Sequence, residues 1–434
     1  MFRKAMILPL LLVGCGDPAT NVTDGSSVAD LATPKDAPEL GPPIADCVSI
    51  PQGQFREITP PELHRDWWCT PDFNPSGCGN PGDSKPGKIA TYGAHYLALA
   101  PSAPGTVYLG TSSLGFWRST DCGAHWTQPG GGSSDVDAGR NWTIAVDPND
   151  AQTVYTTAGY GQGGVYKSTN GGTTFTQMLP ADIKSVAAFV EKITLDPTNS
   201  NHLLVSFHDG CLTSATKATM FPAGVPMNGN LPVGAPVGMA NGQPGWGCLA
   251  ESKDAGATWN LAANALAWAG LDGPGQSMVN GTTWFYASNS DKGIYMTTTA
   301  GASPDGTSPG WKQVVSGGTG GSVYVATDGT YYASNGAVLH STNGTTWDSV
   351  APNIYWDGFN GSTPFVQGGS RLYATVYSWS TPAQYLVSDV SPIKFVPLAD
   401  ASPVPNGGAH LEFDTHYGLL YSSNMQGGIW LVKP

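Results

Sequence analysis

The chain has 434 residues, with 57 Gly, 35 Pro, 14 Trp and 17 Tyr but only 12% charged residues. That balance of turn formers and aromatics excludes a disordered or mainly helical protein and points to a large, turn-rich β domain. The formal charge is −13 at pH 7, a field that repels phosphates and anionic head groups, so no nucleic-acid partner is expected.

Residues 1–15 open with Arg3 and Lys4, run apolar from Ala5 to Val13 and end at Cys15. The run is too short to span a bilayer and reads as an export leader. Leu12-Val13-Gly14-Cys15 resembles a bacterial lipobox, in which Cys15 becomes the lipidated first residue. The resemblance implies an exported chain held by lipid alone to a bacterial membrane, at the outer membrane or cell surface. Without Arg3 and Lys4 the balance is 17 basic against 32 acidic residues, a net −15. Residues 16–46 are rich in Pro, Asp, Ser and Thr, lack aromatics, and read as a disordered tether.

Residues 47–94 form an N-terminal segment ahead of the repeats. Within it, Gln54-Phe-Arg-Glu-Ile-Thr59 has the character of a closing strand, and Asp66-Trp-Trp-Cys69 to Cys78 is a loop suited to cover one face of a ring. Cys47, Cys69, Cys78, Cys122, Cys211 and Cys248 are an even set, which in an exported chain favours disulfides over thiols. Cys69–Cys78 and Cys211–Cys248 would close irregular loops. Cys47–Cys122 would then pin the start of the domain to the first repeat.

From residue 95 to 434 the sequence repeats itself. Leu97-Ala-Leu-Ala-Pro, Val107-Tyr-Leu-Gly, Phe116-Trp-Arg-Ser and Ser119-Thr-Asp-Cys-Gly-Ala-His-Trp126 make one unit. Ile144-Ala-Val-Asp-Pro, Val154-Tyr-Thr-Thr, Gly164-Val-Tyr-Lys and Ser168-Thr-Asn-Gly-Gly-Thr-Thr-Phe175 make the next. Each unit reads as four short strands divided by Gly, Pro, Asn and Asp turns, which is a propeller blade. The third unit, from Ile193 to Trp259, is stretched between Cys211 and Cys248. The fourth ends near Trp311 without the terminal motif; the fifth ends at Ser341-Thr-Asn-Gly-Thr-Thr-Trp347, one residue short; the sixth, Pro364 to Phe395, lacks it again. The last unit offers three strands, Leu411-Glu-Phe-Asp, Leu419-Leu-Tyr-Ser and Gly428-Ile-Trp-Leu431. An unpaired edge invites aggregation, so the segment around Phe55 is assigned as its fourth strand. The expectation is an all-β, seven-bladed β-propeller of four-stranded antiparallel blades.

The motif Ser-x-Asp-x-Gly-x-x-Trp resembles the Asp box (BNR repeat) of sialidases, sortilin-type receptors and xyloglucan-cleaving hydrolases. Its physics is that of a hairpin: Asp121, Asn170 or Asp254 bonds backbone amides, Gly takes a positive φ, and the final aromatic packs between sheets. In the resembling families these boxes lie away from the ligand face. The resemblance implies either a glycan-binding or glycan-cleaving propeller, or a non-catalytic protein-interaction platform.

The ligand end of a propeller is where first strands begin and second strands finish. First strands start at His95 and Tyr96; Arg140, Asn141 and Trp142; Glu191 and Lys192; Gln276 and Ser277; and His410. Loops after second strands bring Tyr160 and Gln162, His208 and Asp209, Asp291 and Lys292, Tyr377 and Trp379, and Gln426. Aromatic faces beside polar groups suit sugar rings, which makes Arg140, Trp142, Lys192, Tyr160, Tyr377 and Trp379 ligand-binding candidates. Glycoside hydrolysis needs two carboxylates, about 5–5.5 Å apart for retention and about 6.5–9.5 Å for inversion, and Glu191 with Asp209 is the candidate pair. A polysaccharide lyase instead needs a base and a cation, for which His95, His208 or His410 with Arg140 or Lys192 would serve. Sialidase chemistry is not expected: the mature chain has only Arg56, Arg65, Arg118, Arg140 and Arg371 to supply the three arginines that the resemblance would require, Arg118 falls in a third strand, and no Phe-Arg-Ile-Pro motif occurs. No zinc-peptidase, serine-hydrolase or phosphate-loop motif occurs, so no metal or cofactor is expected, and a monomer is.

Overall fold

The computed structural model describes residues 47–64, 93–111, 114–131, 136, 141–158, 164–184, 190–207, 227–228, 231–232, 239–240, 243–244, 248–261, 275–288, 293–299, 310–317, 321–335, 337–352, 363–376, 383–398, 400–401, 403–405, 408–425 and 427–434. Seven antiparallel sheets follow one another around a ring. Blade 1 uses Ala94–Leu99, Val107–Thr111 and Phe116–Ser119, extended by a bridge between Arg118 and Thr127. Blade 2 is Ile144–Asp147, Asp150–Thr157, Val165–Ser168 and Thr176–Gln177. Blade 3 is Val190–Asp196, Asn199–Phe207, Cys248–Ser252 and Asn260–Leu261. Between its second and third strands stand two small hairpins, Met227–Asn228 with Leu231–Pro232 and Met239–Ala240 with Gln243–Pro244. Blade 4 is Gly275–Asn280, Thr283–Ser288, Ile294–Thr297 and Lys312–Val315. Blade 5 is Val323–Val325, Tyr331–Ser334, Ala337–Ser341 and Asp348–Pro352. Blade 6 is Phe365–Gly368, Arg371–Val376, Gln384–Asp389 and Val396–Pro397. Blade 7 is His410–Asp414, Leu419–Ser423 and Ile429–Val432, completed by Arg56–Glu57.

Burial falls from the axis to the rim. The second strand of blade 1, Val107–Thr111, is buried throughout, because both faces of its sheet lie against neighbouring blades. The outermost strands are wet, as in Lys312–Val315 and Val396–Pro397. Between blades the cores are aromatic: Phe116 meets Tyr108 and Phe175, and Tyr373 stacks on Phe413 at 5.2 Å. Gly368 makes the latter contact possible, since a Cβ there would stand 2.6 Å from the Phe413 ring.

The recurrent turn joins third to fourth strands. Ser119 Oγ donates to Asp121 Oδ1 at 2.8 Å and accepts from the Gly123 amide at 2.8 Å, while Asp121 Oδ1 accepts from the His125 amide at 2.9 Å. Ser168 with Asn170 and Ser252 with Asp254 repeat this network. The backbone turns through two successive left-handed residues, Cys122 and Gly123 at φ 60° and 89°, or Ala255 and Gly256 at 55° and 90°. The fifth-blade copy, one residue shorter, manages with Gly344 alone at φ 73°, and Asn343 Oδ1 still accepts from the Thr345 and Thr346 amides.

Ring closure comes from the segment read as the missing strand. Arg56 pairs with Leu431 and Glu57 with Trp430, and the Ile58 amide donates to the Ile429 carbonyl at 2.9 Å. The Trp126 indole, from the turn of blade 1, donates to the Ile58 carbonyl at 2.7 Å. Cys47 and Cys122 form a disulfide, so the same segment is tied covalently to blade 1. Cys15, Cys69, Cys78 and Cys211 lie outside the described residues, and Cys248 is described only as the backbone start of a strand. Among the described residues no helix is long and apolar enough to cross a membrane.

The disulfide closes a 75-residue separation. Replacing both cysteines, Cys47→Ala with Cys122→Ala, is expected to lower unfolding free energy by about 2–4 kcal/mol in denaturant titrations. An unchanged midpoint would show that strand pairing alone holds the ring shut.

Candidate functional site

Four blades present equivalent residues one position before a buried apolar residue of the innermost strand: Tyr96, Thr143, Lys192 and His410, before Leu97, Ile144, Ile193 and Leu411. Two of these strands carry a β-bulge at the preceding residue. In blade 1 the register passes from Ala94 opposite Thr111 to Tyr96 opposite Gly110, which leaves His95 extra. In blade 3 it passes from Val190 opposite Phe207 to Lys192 opposite Ser206, which leaves Glu191 extra. A bulge breaks the strict alternation of a strand and re-aims a side chain. The paired bulges therefore sit at the same height on two blades.

These residues converge on the ring axis. Lys192 Nζ of blade 3 donates to Thr363 Oγ1 at 3.2 Å, and Thr363 leads into blade 6 on the other side of the ring. The Thr363 amide donates to His410 Nδ1 at 2.9 Å. That bond makes Nδ1 an acceptor, so a neutral His410 carries its proton on Nε2, which faces Glu412 Oε1 at 3.3 Å. Tyr96 stacks on His410 with ring centroids 4.0 Å apart, and His95 stands edge-on to Trp142 at 4.5 Å.

The electrostatics follow from burial. Lys192 is 5% exposed, and burial lowers its pKa to about 8 against the opposing attraction of Glu412 and Glu191. Burial also lowers His410, with Lys192 assisting and Glu412 opposing. Tyr96 is raised, first by burial and then by Glu412. Glu412 acts on Tyr96 of blade 1, Lys192 of blade 3, Tyr324 of blade 5 and its neighbour His410. Only a position near the axis lies close to so many blades. With side-chain exposure of 31%, Glu412 is the wettest member of the cluster.

Of the residues picked from sequence, His95, Trp142, Glu191, Lys192 and His410 are thus brought together around the axis, all buried. They form a buried cluster at the starts of the innermost strands rather than an open rim. Arg140, Tyr160, Gln162, His208, Asp209, Asp291, Lys292, Tyr377, Trp379 and Gln426 lie outside the described residues. Arg118 sits in the third strand of blade 1 as expected, donating to the Gly171 carbonyl at 3.0 Å across the seam to blade 2. Glu412 and Thr363 were not singled out by sequence. The period-2 rule offered the signal for Glu412, two residues beyond His410 on one face of one strand. Among the described residues no group of three or more His, Cys, Asp and Glu forms a metal cage.

No protein-family model and no curated protein matches the chain. Solved structures do resemble it. A GH74 xyloglucanase from Xanthomonas campestris is similar at 21% identity and a TM-score of 0.51, over 79% of this chain and 52% of that one. The GH74 enzyme of Niastella koreensis is similar at 17% identity and a TM-score of 0.52, over 80% and 53%. The extracellular domain of a candidate hybrid two-component system from B. thetaiotaomicron is similar at 11% identity and a TM-score of 0.53, over 79% and 40%. The chain spans about half the length of the GH74 proteins. At these identities the likeness shows the fold, a seven-bladed propeller.

Lys192 carries its charge against burial, with Glu412 and Glu191 partly offsetting the cost. Because burial outweighs the attraction of both acids, Lys192→Met is expected to leave urea unfolding unchanged or to stabilise the chain by about 1–3 kcal/mol. The attraction of Glu412 should still appear as a coupling of about 1–3 kcal/mol when Glu412→Gln is combined with Lys192→Met. Since Lys192 titrates near pH 8 when folded and near its ordinary 10.5 when unfolded, the unfolded chain holds the extra proton between them. Across that window stability should therefore change more favourably with rising pH in the native chain than in Lys192→Met, the difference between the two profiles isolating Lys192.

Proposed function

We propose that the protein is an exported, lipid-anchored propeller that binds an uncharged extracellular glycan over the upper mouth of its ring. The observation that carries this reading is the axial cluster, where aromatic, cationic and acidic groups from five blades meet at the starts of the innermost strands. The sequence adds candidates for sugar contact, Tyr160, Tyr377 and Trp379 after second strands as stacking platforms and Arg140 ahead of a first strand as a hydrogen-bond donor. A xyloglucanase with the same fold supports a sugar ligand.

Charge favours a neutral sugar polymer over a uronate. Glu191 and Glu412 stand against the single ammonium of Lys192, His410 is held toward its neutral form, and the whole chain carries −13. A lyase reading needs a surplus of positive charge at the uronate carboxylate, and the axial cluster lacks one. For hydrolysis the candidate pair is Glu191, at its bulge, with Asp209 in the loop beyond the paired strand. A second reading, a protein-binding platform, draws on the Lys192–Thr363 bond that spans the axis.

Affinity electrophoresis of the purified protein in neutral and acidic polysaccharides separates these readings. Retardation by neutral polymers is expected, weakened by roughly tenfold in Trp379→Ala or Tyr377→Ala, a loss of about 1.4 kcal/mol. Release of reducing ends that vanishes in Glu191→Gln and Asp209→Asn would identify a hydrolase. Unsaturated uronates would overturn the neutral assignment, and no retardation by any polymer would leave the protein platform. Export by the lipid route predicts that Cys15→Ser moves the chain from the membrane fraction to the soluble one.

A further inference from the structure

At the lower end of the ring, opposite the axial cluster, blade 3 contains a buried chain of three titratable side chains. His202 Nδ1 lies 2.7 Å from Asp196 Oδ2, and His202 Nε2 lies 2.9 Å from Glu251 Oε1. The three come from different strands: Asp196 ends the first, His202 is in the second and Glu251 in the third. Side-chain exposure is 9% for His202 and 1% for Asp196. Blade 4 joins the chain, because the Gly281 amide donates to the same Asp196 Oδ2 at 2.9 Å and the Trp284 ring lies 6.1 Å from the imidazole. Thr198 fixes the other oxygen, donating to Asp196 Oδ1 from its amide at 2.9 Å and from its hydroxyl at 2.6 Å. Lys253, well exposed, reaches Glu251 Oε1 at 3.4 Å.

Both ring nitrogens of His202 face carboxylate oxygens. A neutral imidazole donates from one nitrogen only and would set a lone pair against the other carboxylate, whereas an imidazolium donates from both. The arrangement is also wrong for chelation, because the two carboxylates lie on opposite edges of the ring and their oxygens do not converge on one point.

We propose that the Asp196–His202–Glu251 chain is a pH-operated lock on the lower seam between blades 3 and 4. Protonated, His202 satisfies both acids and steadies the Asp196 oxygen that holds the Gly281 amide of the next blade. Deprotonated, it must release one of them, and two acids remain in a nearly dry seam.

The sign is fixed by the partners. Hydrogen bonding to Glu251 comes first and bonding to Asp196 adds to it; together they outweigh burial and raise the His202 pKa above its ordinary value. Burial works to raise Asp196, but its bonds from Thr198, His202 and Gly281 prevail and lower it. The raised histidine contributes stability that is complete below its unfolded pKa and is lost as pH climbs through its folded pKa. The lowered acid contributes stability that is lost as pH falls through its own folded value. The lock is therefore closed between the lowered pKa of Asp196 and the raised pKa of His202 and opens as pH climbs through the latter.

The test compares the full chain with His202→Gln, which keeps a donor and an acceptor but cannot gain charge. Between about pH 6 and pH 9 the melting temperature of the native chain should fall by about 2–4 °C more than that of the variant. Lys192 titrates in both proteins and cancels in the difference. Over the same range, exchange of the Gly281 amide, corrected for intrinsic pH dependence, should accelerate several-fold in the native chain only. Parallel melting profiles would overturn the proposal. So would an NMR titration of the native chain that places His202 at or below the ordinary value of about 6.5, and this measurement decides even if the variant fails to fold.

Discussion

The pairing of Arg56 and Glu57 with Leu431 and Trp430 is the interaction on which the rest depends. Seven blades in sequence make an arc, and only when the segment ahead of blade 1 completes the last blade does the arc become a ring with an axis. The axial cluster presupposes that closure: Lys192 and Thr363 belong to opposite sides of the ring, and His410 of the last blade stacks on Tyr96 of the first. Closure is reinforced at three points that do not share a strand: the disulfide to Cys122, the Trp126 indole on Ile58, and the hydrogen bond from the Ile429 amide to Thr59 Oγ1 at 2.9 Å.

Much of this architecture was legible in the sequence because its signals are local. The Ser-x-Asp turn encodes its own hydrogen bonds within five residues, and the left-handed backbone it needs restricts one position to Gly. Blades 4 and 6 form without that turn, since their strands are specified by buried apolar faces such as Trp284-Phe-Tyr286 and Leu372-Tyr-Ala374. The shortened copy ending at Trp347 shows the tolerance of the device: one left-handed Gly replaces two left-handed residues, and the Trp347 indole still reaches the Gly344 carbonyl at 2.9 Å.

What escaped the sequence is non-local. His95 and Glu191 read as the starts of ordinary strands, and nothing in their neighbourhood announces a bulge, because a bulge is a mismatch with a partner strand fifteen residues away. Their burial was hidden for the same reason. A residue at the start of a strand looks like a loop residue until seven such starts crowd around one axis. Thr363 and Glu412 acquire meaning only from Lys192, which is far from both in sequence and across the ring from Thr363. The Asp196–His202–Glu251 chain spans three strands with a long insertion between two of them, so spacing carried no hint of it.

The two buried cations, Lys192 near the upper mouth and His202 at the lower seam, show why burial alone does not fix a charge state. Lys192 makes one hydrogen bond, to a neutral hydroxyl, and feels its two acids without direct contact, so desolvation prevails and its proton is loosened. His202 has a carboxylate within 3 Å of each nitrogen, so direct bonding prevails and its proton is held. Raising pH therefore acts in opposite senses at the two ends of one ring. Neutralising Lys192 relieves a desolvation cost above, while neutralising His202 exposes an uncompensated acid below. A chain with so few charged residues has placed two of its cations where their protonation is coupled to folding, and in each case the number of acceptors within hydrogen-bond reach sets the direction.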